Sequence, residues 1–323
     1  MSRTRCYQNG VLVDADFDAD QLSEHLEEPG SVVWVDLVAP DADELALIAD
    51  ELGLHALAVE DAIHAHQRPK LDRYPDHAFL SGYAVRFDPD TPQLVTSELA
   101  AFLTPRALVT VRKDEGFDID EVLQRWDSSS DLAKYGVAFL LHGLLDYLVD
   151  THFESVQQLD EQIENLEDLL FATDADQESV QRRSFELRKS LVLLRRIVLP
   201  MREVVNTLMR RDLHIIDEGM GPYFQDVYDH VLRATEWTES LRDLVTSVLE
   251  TNLTIQGNRL NIISKKVTSW AAIIAVPTAI TGFYGQNVPY PGFSQQSGFY
   301  ASTSTIVLLS GLLYWLFRRK DWL

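Results

Sequence analysis

VTSWAAIIAVPTAITGFY runs from Val267 to Tyr284, 18 residues without a charge. A helix needs about 20 apolar residues to cross a bilayer core. By hydropathy this stretch is marginal, because Thr268, Ser269 and Pro277 lie inside it. A second uncharged stretch, SGFYASTSTIVLLSGLLYWLF (Ser297–Phe317), has 21 residues and is long enough to span. Two helices buried in a soluble core would give a similar pattern. The flanks favour a membrane: Lys265 and Lys266 precede the first stretch, and Arg318, Arg319 and Lys320 follow the second. Cationic residues at both outer ends place both ends in the cytoplasm. The expected order is a transmembrane helix over 267–284, an extracytoplasmic loop over 285–296, a second transmembrane helix over 297–317 and a basic tail over 318–323. Trp270, Tyr284, Tyr300, Tyr314 and Trp315 stand near the ends of the spans, as interfacial aromatics do. Pro277 removes a helix hydrogen bond, a loss that neighbouring helices make tolerable in a membrane.

Charge is unevenly distributed over the 323 residues. The formal net charge is −22, yet residues 267–323 carry +2, which leaves −24 for residues 1–266. An acidic body joined to an apolar end suggests a membrane-anchored domain with a cationic partner. The charge argues against nucleic acid, whose phosphates need clustered Lys and Arg. Cys6 is the one cysteine, so no intrachain disulfide can form. The first twenty residues lack the apolar core of a signal peptide. The large domain is therefore expected in the cytoplasm, and the protein in the cell membrane.

Alternating steps of three and four through the first span select Asn261, Ser264, Thr268, Ala271, Ala275, Thr278, Gly282 and Gly285. All are small or polar. Between them lie Ile262, Ile263, Val267, Trp270, Ile273, Ile274, Val276 and Ile280. One face therefore suits lipid, and the other suits either close helix packing or a water-filled pore. A two-helix hairpin cannot enclose a pore, so a pore demands an oligomer. Uncharged oxygen dipoles suit a hydrated hard cation, because Mg²⁺ gives up its water reluctantly.

These residues resemble the CorA-type divalent metal transporter family. Tyr284-Gly285-Gln286-Asn287 resembles its Tyr-Gly-Met-Asn signature. EDAIHAHQRPKLDRY (Glu60–Tyr74), PYFQDVYDH (Pro222–His230), NIISKKVTSWAAIIAVPT (Asn261–Thr278) and the closing RRKDWL are similar to family segments in their usual order. The resemblance implies an α+β cytoplasmic domain, long stalk helices and a two-helix transmembrane hairpin, assembled as a pentameric, funnel-shaped channel. It implies a filter at Gly285, Gln286 and Asn287, and a pore lined by Asn261, Ser264, Val267, Thr268, Ala271, Ala275 and Thr278. Val267 would contribute a hydrophobic constriction, whereas Ser264 stands where the family often has an apolar gating residue. Lys265, Lys266, Arg318, Arg319 and Lys320 would form a basic ring at the pore entrance. Asp61 and Asp226, assisted by Glu60, would bind a regulatory cation between subunits and hold the pore shut. Mg²⁺ would be both cargo and regulator, with no other cofactor. The chain departs from the family twice. Gln286 replaces the signature Met, and the loop VPYPGFSQQSG has no acid where the family places a ring of them. Related zinc transporters carry such loops, so Mg²⁺, Co²⁺, Ni²⁺ and Zn²⁺ stay open as cargo.

Residues 1–130 read as an α/β domain. SVVWVDLV and HAFLSGYAVRF read as strands, DADELALIADELG as a helix, and LAAFLTPRALVTVRKDE as two strands joined at Pro105-Arg106. Residues 131–266 read as a long-helix stalk domain, with helices over 131–171 and 177–211. A third helix begins near Pro222 and runs unbroken into the first span, about 60 residues or ~90 Å. Glu154, Asp160, Glu161, Glu164, Glu167, Asp168, Asp174, Asp176 and Glu178 form a run without Lys or Arg. It reads as a solvated face, or as acids that offset the basic ring. His55, His64, His66 and His77 are close in sequence, but no Cys joins them, and His64 and His66 fall on different sides of a predicted helix. No GxxxxGK[ST] is present, so nucleotide-driven pumping has no support. No hydrolytic spacing stands out either, and the expected protein is not an enzyme. A non-conducting, membrane-anchored cation sensor is the remaining alternative.

Overall fold

The computed structural model describes residues 3–18, 21–65, 67–88, 91, 93–172, 176–210 and 216–323. His66, Asp174 and the predicted helix end at 211 lie outside the described residues. The chain divides into two compact units, Met1–Val248 and Leu249–Leu323.

The first unit holds a seven-stranded sheet. Its strands are β1 (Arg3–Gln8), β2 (Val11–Ala15), β3 (Ser31–Val38), β4 (Lys70–Arg73), β5 (Ala78–Asp88), β6 (Gln93–Leu103) and β7 (Ala107–Arg112). Their order is β2-β1-β3-β7-β6-β5-β4. β3 and β7 run parallel, and all other neighbours are antiparallel. The helices are α1 (Leu22–Glu27), α2 (Ala42–Leu52), α3 (Ala56–Ile63), α4 (Ile119–Ser128), α5 (Val137–Phe171) and α6 (Gln177–Leu208), followed by the start of α7 (Gly221–Tyr284). The central strands are covered on both faces, so β3 and β7 read as continuous apolar runs rather than as alternation. Trp34 on β3 meets Trp126 on α4 edge to face at 5.0 Å, and the Trp126 indole donates to the Leu140 carbonyl on α5 at 3.1 Å.

Local signals set the helix ends. Asp41 caps α2 by accepting from the Glu44 amide, and Gly53 closes it in the left-handed conformation at φ 65°. α5 begins at Val137 rather than at the predicted 131, because a 3-10 turn over Ser130–Tyr135 ends at Gly136 with φ 61°. His64 lies just beyond the end of α3 in extended backbone, which corrects its placement on a helix. His55 and His77 stack on either face of Tyr74 at 4.6 and 4.8 Å, so this pair of imidazoles packs on an aromatic ring.

β4 has only four residues and leaves the rest of β5 with an open edge. α5 closes it with side chains. The Thr151 hydroxyl accepts from the Val85 amide at 3.1 Å, the Ser155 hydroxyl donates to the Val85 carbonyl at 3.1 Å, and His152 Nε2 donates to the Tyr83 carbonyl at 2.7 Å. His152 is fully buried, and desolvation pulls its pKa from 6.5 down to about 4. Above pH 6.5 the imidazole is neutral in both folded and unfolded chains, and its contribution to stability is complete. As pH falls from 6.5 to 4 the unfolded chain takes up a proton that the folded one refuses. Stability worth roughly 3 kcal/mol is lost across that window. Unfolding of wild type and His152→Gln at pH 7 and pH 4.5 checks this. The variant is expected to lose markedly less stability between the two pH values, and equal losses would refute the assignment.

Candidate functional site

The second unit contains the end of α7 and the helix α8 (Gln296–Arg319). Both helices are long and apolar enough to cross a membrane, with a mean hydropathy of 1.4 in their most apolar windows. Their large apolar side chains are exposed in the single chain, with Ile274 at 62% and Leu308 at 71%. Surface of this kind calls for lipid or further protein.

Within the apolar stretch 267–284 of α7 the half-buried or buried positions are Ser269, Ala272, Ile273, Val276, Pro277, Ile280 and Tyr284. Asn261, Ser264, Thr268, Ala271, Ala275 and Thr278 are all exposed, as is Val267. The small-polar stripe is therefore not consumed by packing within the hairpin. The Thr278 hydroxyl donates to the Ile274 carbonyl at 3.0 Å, which spends its proton and leaves oxygen lone pairs for a water or a cation.

At the end of α7 the Gly285 amide bonds to the Thr281 carbonyl at 2.8 Å and the Gln286 amide to the Phe283 carbonyl at 3.3 Å. A Cβ on Gly285 would lie 2.9 Å from the Thr281 oxygen, so only glycine fits there without a shift. The side chains of Gln286 and Asn287 are exposed and make no hydrogen bond among the described residues. Lys265, Lys266, Arg318, Arg319 and Lys320 are all exposed; Arg319 lies over the Trp315 ring at 5.4 Å.

The predicted regulatory residues lie in the first unit. Asp61 sits on α3, where Lys70 Nζ reaches it at 2.6 Å and also reaches Asp72 at 2.6 Å. Glu60 is exposed. Lys113 Nζ donates to the Ala62 carbonyl at the C-terminal end of α3, where a cation complements the helix dipole. Burial holds the Lys113 pKa below its usual value, offset in part by Glu98. Glu98 also accepts from the Gln67 amide at 3.2 Å, and the Tyr83 hydroxyl donates to the Gln67 carbonyl. Burial, then the Glu98 charge, pushes the Tyr83 pKa up. This network fixes the chain that follows Asp61.

Asp226 lies exposed on α7. One turn further on is His230, which joins Asp146 and Asp150 of α5 in a group whose ligand atoms all lie within 4.8 Å of one another. Arg125 of α4 already pairs with both carboxylates, at 2.5 and 2.8 Å. His142, one turn before Asp146, packs edge-on against Tyr223 and Phe224. Burial lowers its pKa, although Asp146 and Asp226 act the other way. The sequence reading missed Asp146 and Asp150. Two acids spaced i, i+4 within the otherwise apolar run AFLLHGLLDYLVDTHF were the available signal.

Comparison with known proteins bears on the whole arrangement. A family model described as CorA-like Mg²⁺ transporter protein matches residues 29–319. The cobalt/magnesium transport protein CorA of Thermotoga maritima is 28% identical over 293 residues, covering 90% of this chain and 83% of that one. The zinc transport protein ZntB of Yersinia pestis is 27% identical over 271 residues, covering 79% and 77%. The solved structure of the CorA magnesium transporter from Methanocaldococcus jannaschii shares the fold, with a TM-score of 0.81 at 23% identity, over 100% of this chain and 99% of that one.

Proposed function

The chain belongs to the CorA-like Mg²⁺ transporter family, and on that premise we propose that it is a membrane channel for hydrated divalent cations, Mg²⁺ first, with Co²⁺ and Ni²⁺ as further cargo. The observation that carries this is the extent of the family match, residues 29–319, which takes in most of the first unit, both apolar helices and the loop between them. Copies of the chain, five by the family's pattern, assemble in the cell membrane with both termini in the cytoplasm. Each turns its Asn261–Thr278 stripe inward. Gly285, Gln286 and Asn287 ring the outer mouth and hold the ion through its water. Val267 narrows the pore, and the residues 131–266 form the stalk. Lys265, Lys266, Arg318, Arg319 and Lys320 ring the entrance. Inward flow follows the membrane potential, worth about 4.6 kcal/mol per divalent ion per 100 mV. The work is transport; no bond of a substrate is made or broken.

A regulatory cation acts on the cytoplasmic side. Carboxylates brought together across a subunit interface repel, and a divalent ion removes the repulsion. Asp61 and Asp226, with Glu60 beside them, supply such carboxylates from neighbouring copies. A second group of possible ligands, Asp146, Asp150 and His230, lies nearby, with His230 one turn along α7 from Asp226. In the single chain, Lys70 pairs with Asp61, and Arg125 with Asp146 and Asp150, so a cation would compete with these pairs. Cation binding favours the closed assembly, and scarcity lets it open. Asp226→Lys or Asp61→Lys is expected to shift the internal Mg²⁺ concentration that closes the channel by about tenfold or more. Flux titrated against internal Mg²⁺ reads this directly, and a wild-type titration curve would remove the regulatory assignment.

A zinc transporter of the same fold is the second reading, favoured by the acid-free loop Val288–Gln296. Uptake measured ion by ion in liposomes separates the two. Mg²⁺ uptake supports the first reading, uptake of Zn²⁺ alone supports the second, and no uptake of any ion would favour a sensor that only packs its helices.

A further inference from the structure

The loop that lacks acids is held by aromatic rings instead. The Tyr290 hydroxyl donates to the Tyr284 carbonyl at 3.0 Å. Their rings meet edge-on at 5.0 Å, and Phe293 meets Tyr290 edge-on at 5.3 Å. The hydrogen bond joins the last residue of α7 to a point six residues on. It thereby closes a small ring of chain that contains Gly285, Gln286 and Asn287. The far side of this ring is anchored as well. The Phe293 amide bonds to the Tyr290 carbonyl at 2.9 Å. Gly292, at φ 91°, lies so near α8 that a Cβ on Gly298 would stand 2.4 Å from the Gly292 oxygen.

We propose that Tyr290 is the positioning residue of the filter, and that its hydroxyl sets which hydrated cation the Asn287 amide accepts. The inference rests on the filter reading above and adds how that filter is kept rigid. A ring of neutral dipoles discriminates between ions of equal charge by the spacing and number of its oxygens. That spacing is only as sharp as the backbone carrying it, and Gly285 is intrinsically permissive. With no charge in the loop, no ion pair can fix it. The Tyr290 hydroxyl does so by accepting none of the cargo and tying the backbone on either side of Asn287. A tyrosine that served only as an interfacial anchor would need its ring and not this bond.

The test uses full-length protein in liposomes, with Mg²⁺, Co²⁺ and Zn²⁺ fluxes measured separately for wild type, Tyr290→Phe, Phe293→Leu and Asn287→Ala. Tyr290→Phe keeps the ring and is expected still to conduct, with the Mg²⁺-to-Co²⁺ flux ratio shifted by about fivefold or more, since every copy in the ring loses one hydrogen bond. Hydrogen exchange of the 284–290 peptide is expected to rise in the same variant, a readout independent of conduction. Phe293→Leu keeps the hydroxyl and shifts the ratio in the same direction by less. Unchanged ratio and exchange in Tyr290→Phe, with Asn287→Ala impaired, would overturn the clamp and leave the filter standing. Wild-type flux in Asn287→Ala would overturn the filter, and this inference with it.

Discussion

Asn287→Ala is expected to lower Mg²⁺ flux through the reconstituted protein by about 100-fold. The side chain is exposed and makes no hydrogen bond among the described residues, so its loss is expected to leave the fold alone. A melting curve within about 0.5 kcal/mol of wild type is the matching expectation. The effect on flux is large because an oligomer multiplies it. Each amide oxygen accepts a hydrogen bond from the ion's water, worth about 0.5–1.5 kcal/mol. Five such bonds vanish together in a pentamer. A 100-fold loss corresponds to about 2.7 kcal/mol, within that range. Asn287→Asp runs the other way: a ring of carboxylates binds the ion more tightly and releases it more slowly. Tracer uptake at a fixed potential measures both variants. Flux in Asn287→Ala equal to wild type would mean that the mouth lies elsewhere.

Features written in local periodicity were legible in the sequence. The start of α7 at Gly221, with Pro222 in its first turn, and its end at Tyr284 match the reading of one unbroken helix. β3, β5, β6 and β7 were also legible, because apolar runs of strand length alternate with turn residues such as Pro105. β1, β2, β4, α1 and α4 were not. β2 is exposed at all five positions, and β4 is four residues of KLDR, so neither shows a buried face to find. Asp61, Asp226 and Glu60 were named by resemblance as candidate regulatory carboxylates, but the charged company around them, the Asp146–Asp150–His230 group included, was hidden. Nothing near Asp146 in sequence announces Arg125 on one side and His230 on the other. Lys70 is nine residues from Asp61, yet only the turn into β4 brings it within 2.6 Å. Long-range pairing of charges is a property of the fold, and periodicity is blind to it. Asp36 makes the same point inside SVVWVDLV: a lone acid in an apolar strand signals a buried partner without saying which.

That partner is Arg112, and Arg112→Met is expected to cost about 3–5 kcal/mol of folding stability. The Asp36 side chain has no solvent exposure and that of Arg112 has 8%. Arg112 Nε reaches the two carboxylate oxygens at 3.1 and 3.0 Å, and Nη2 reaches Oδ2 at 2.6 Å. Thr110 donates to Oδ1 at 2.7 Å while accepting from the Trp34 indole at 3.1 Å. The parallel register of β3 on β7 aligns Asp36 with Thr110 and Val38 with Arg112, which is why the pair meets. Without the guanidinium, the Thr110 hydroxyl alone among these partners remains to serve a buried carboxylate. Domains are stable by only about 5–15 kcal/mol, so this loss threatens the fold itself. Asp36→Leu with Arg112→Met removes both charges and is expected to recover most of the stability, since a matched apolar pair avoids the desolvation cost. Chemical unfolding of the full chain in detergent measures both variants, and a single variant within about 1 kcal/mol of wild type would contradict the argument. The consequence reaches the regulatory carboxylates. Arg112 also donates to the Phe117 carbonyl at 3.1 Å, and the adjacent Lys113 caps the helix that carries Glu60 and Asp61. Loosening that strand end therefore loosens α3, and a destabilised but folded variant at this position is expected to respond less sharply to internal Mg²⁺.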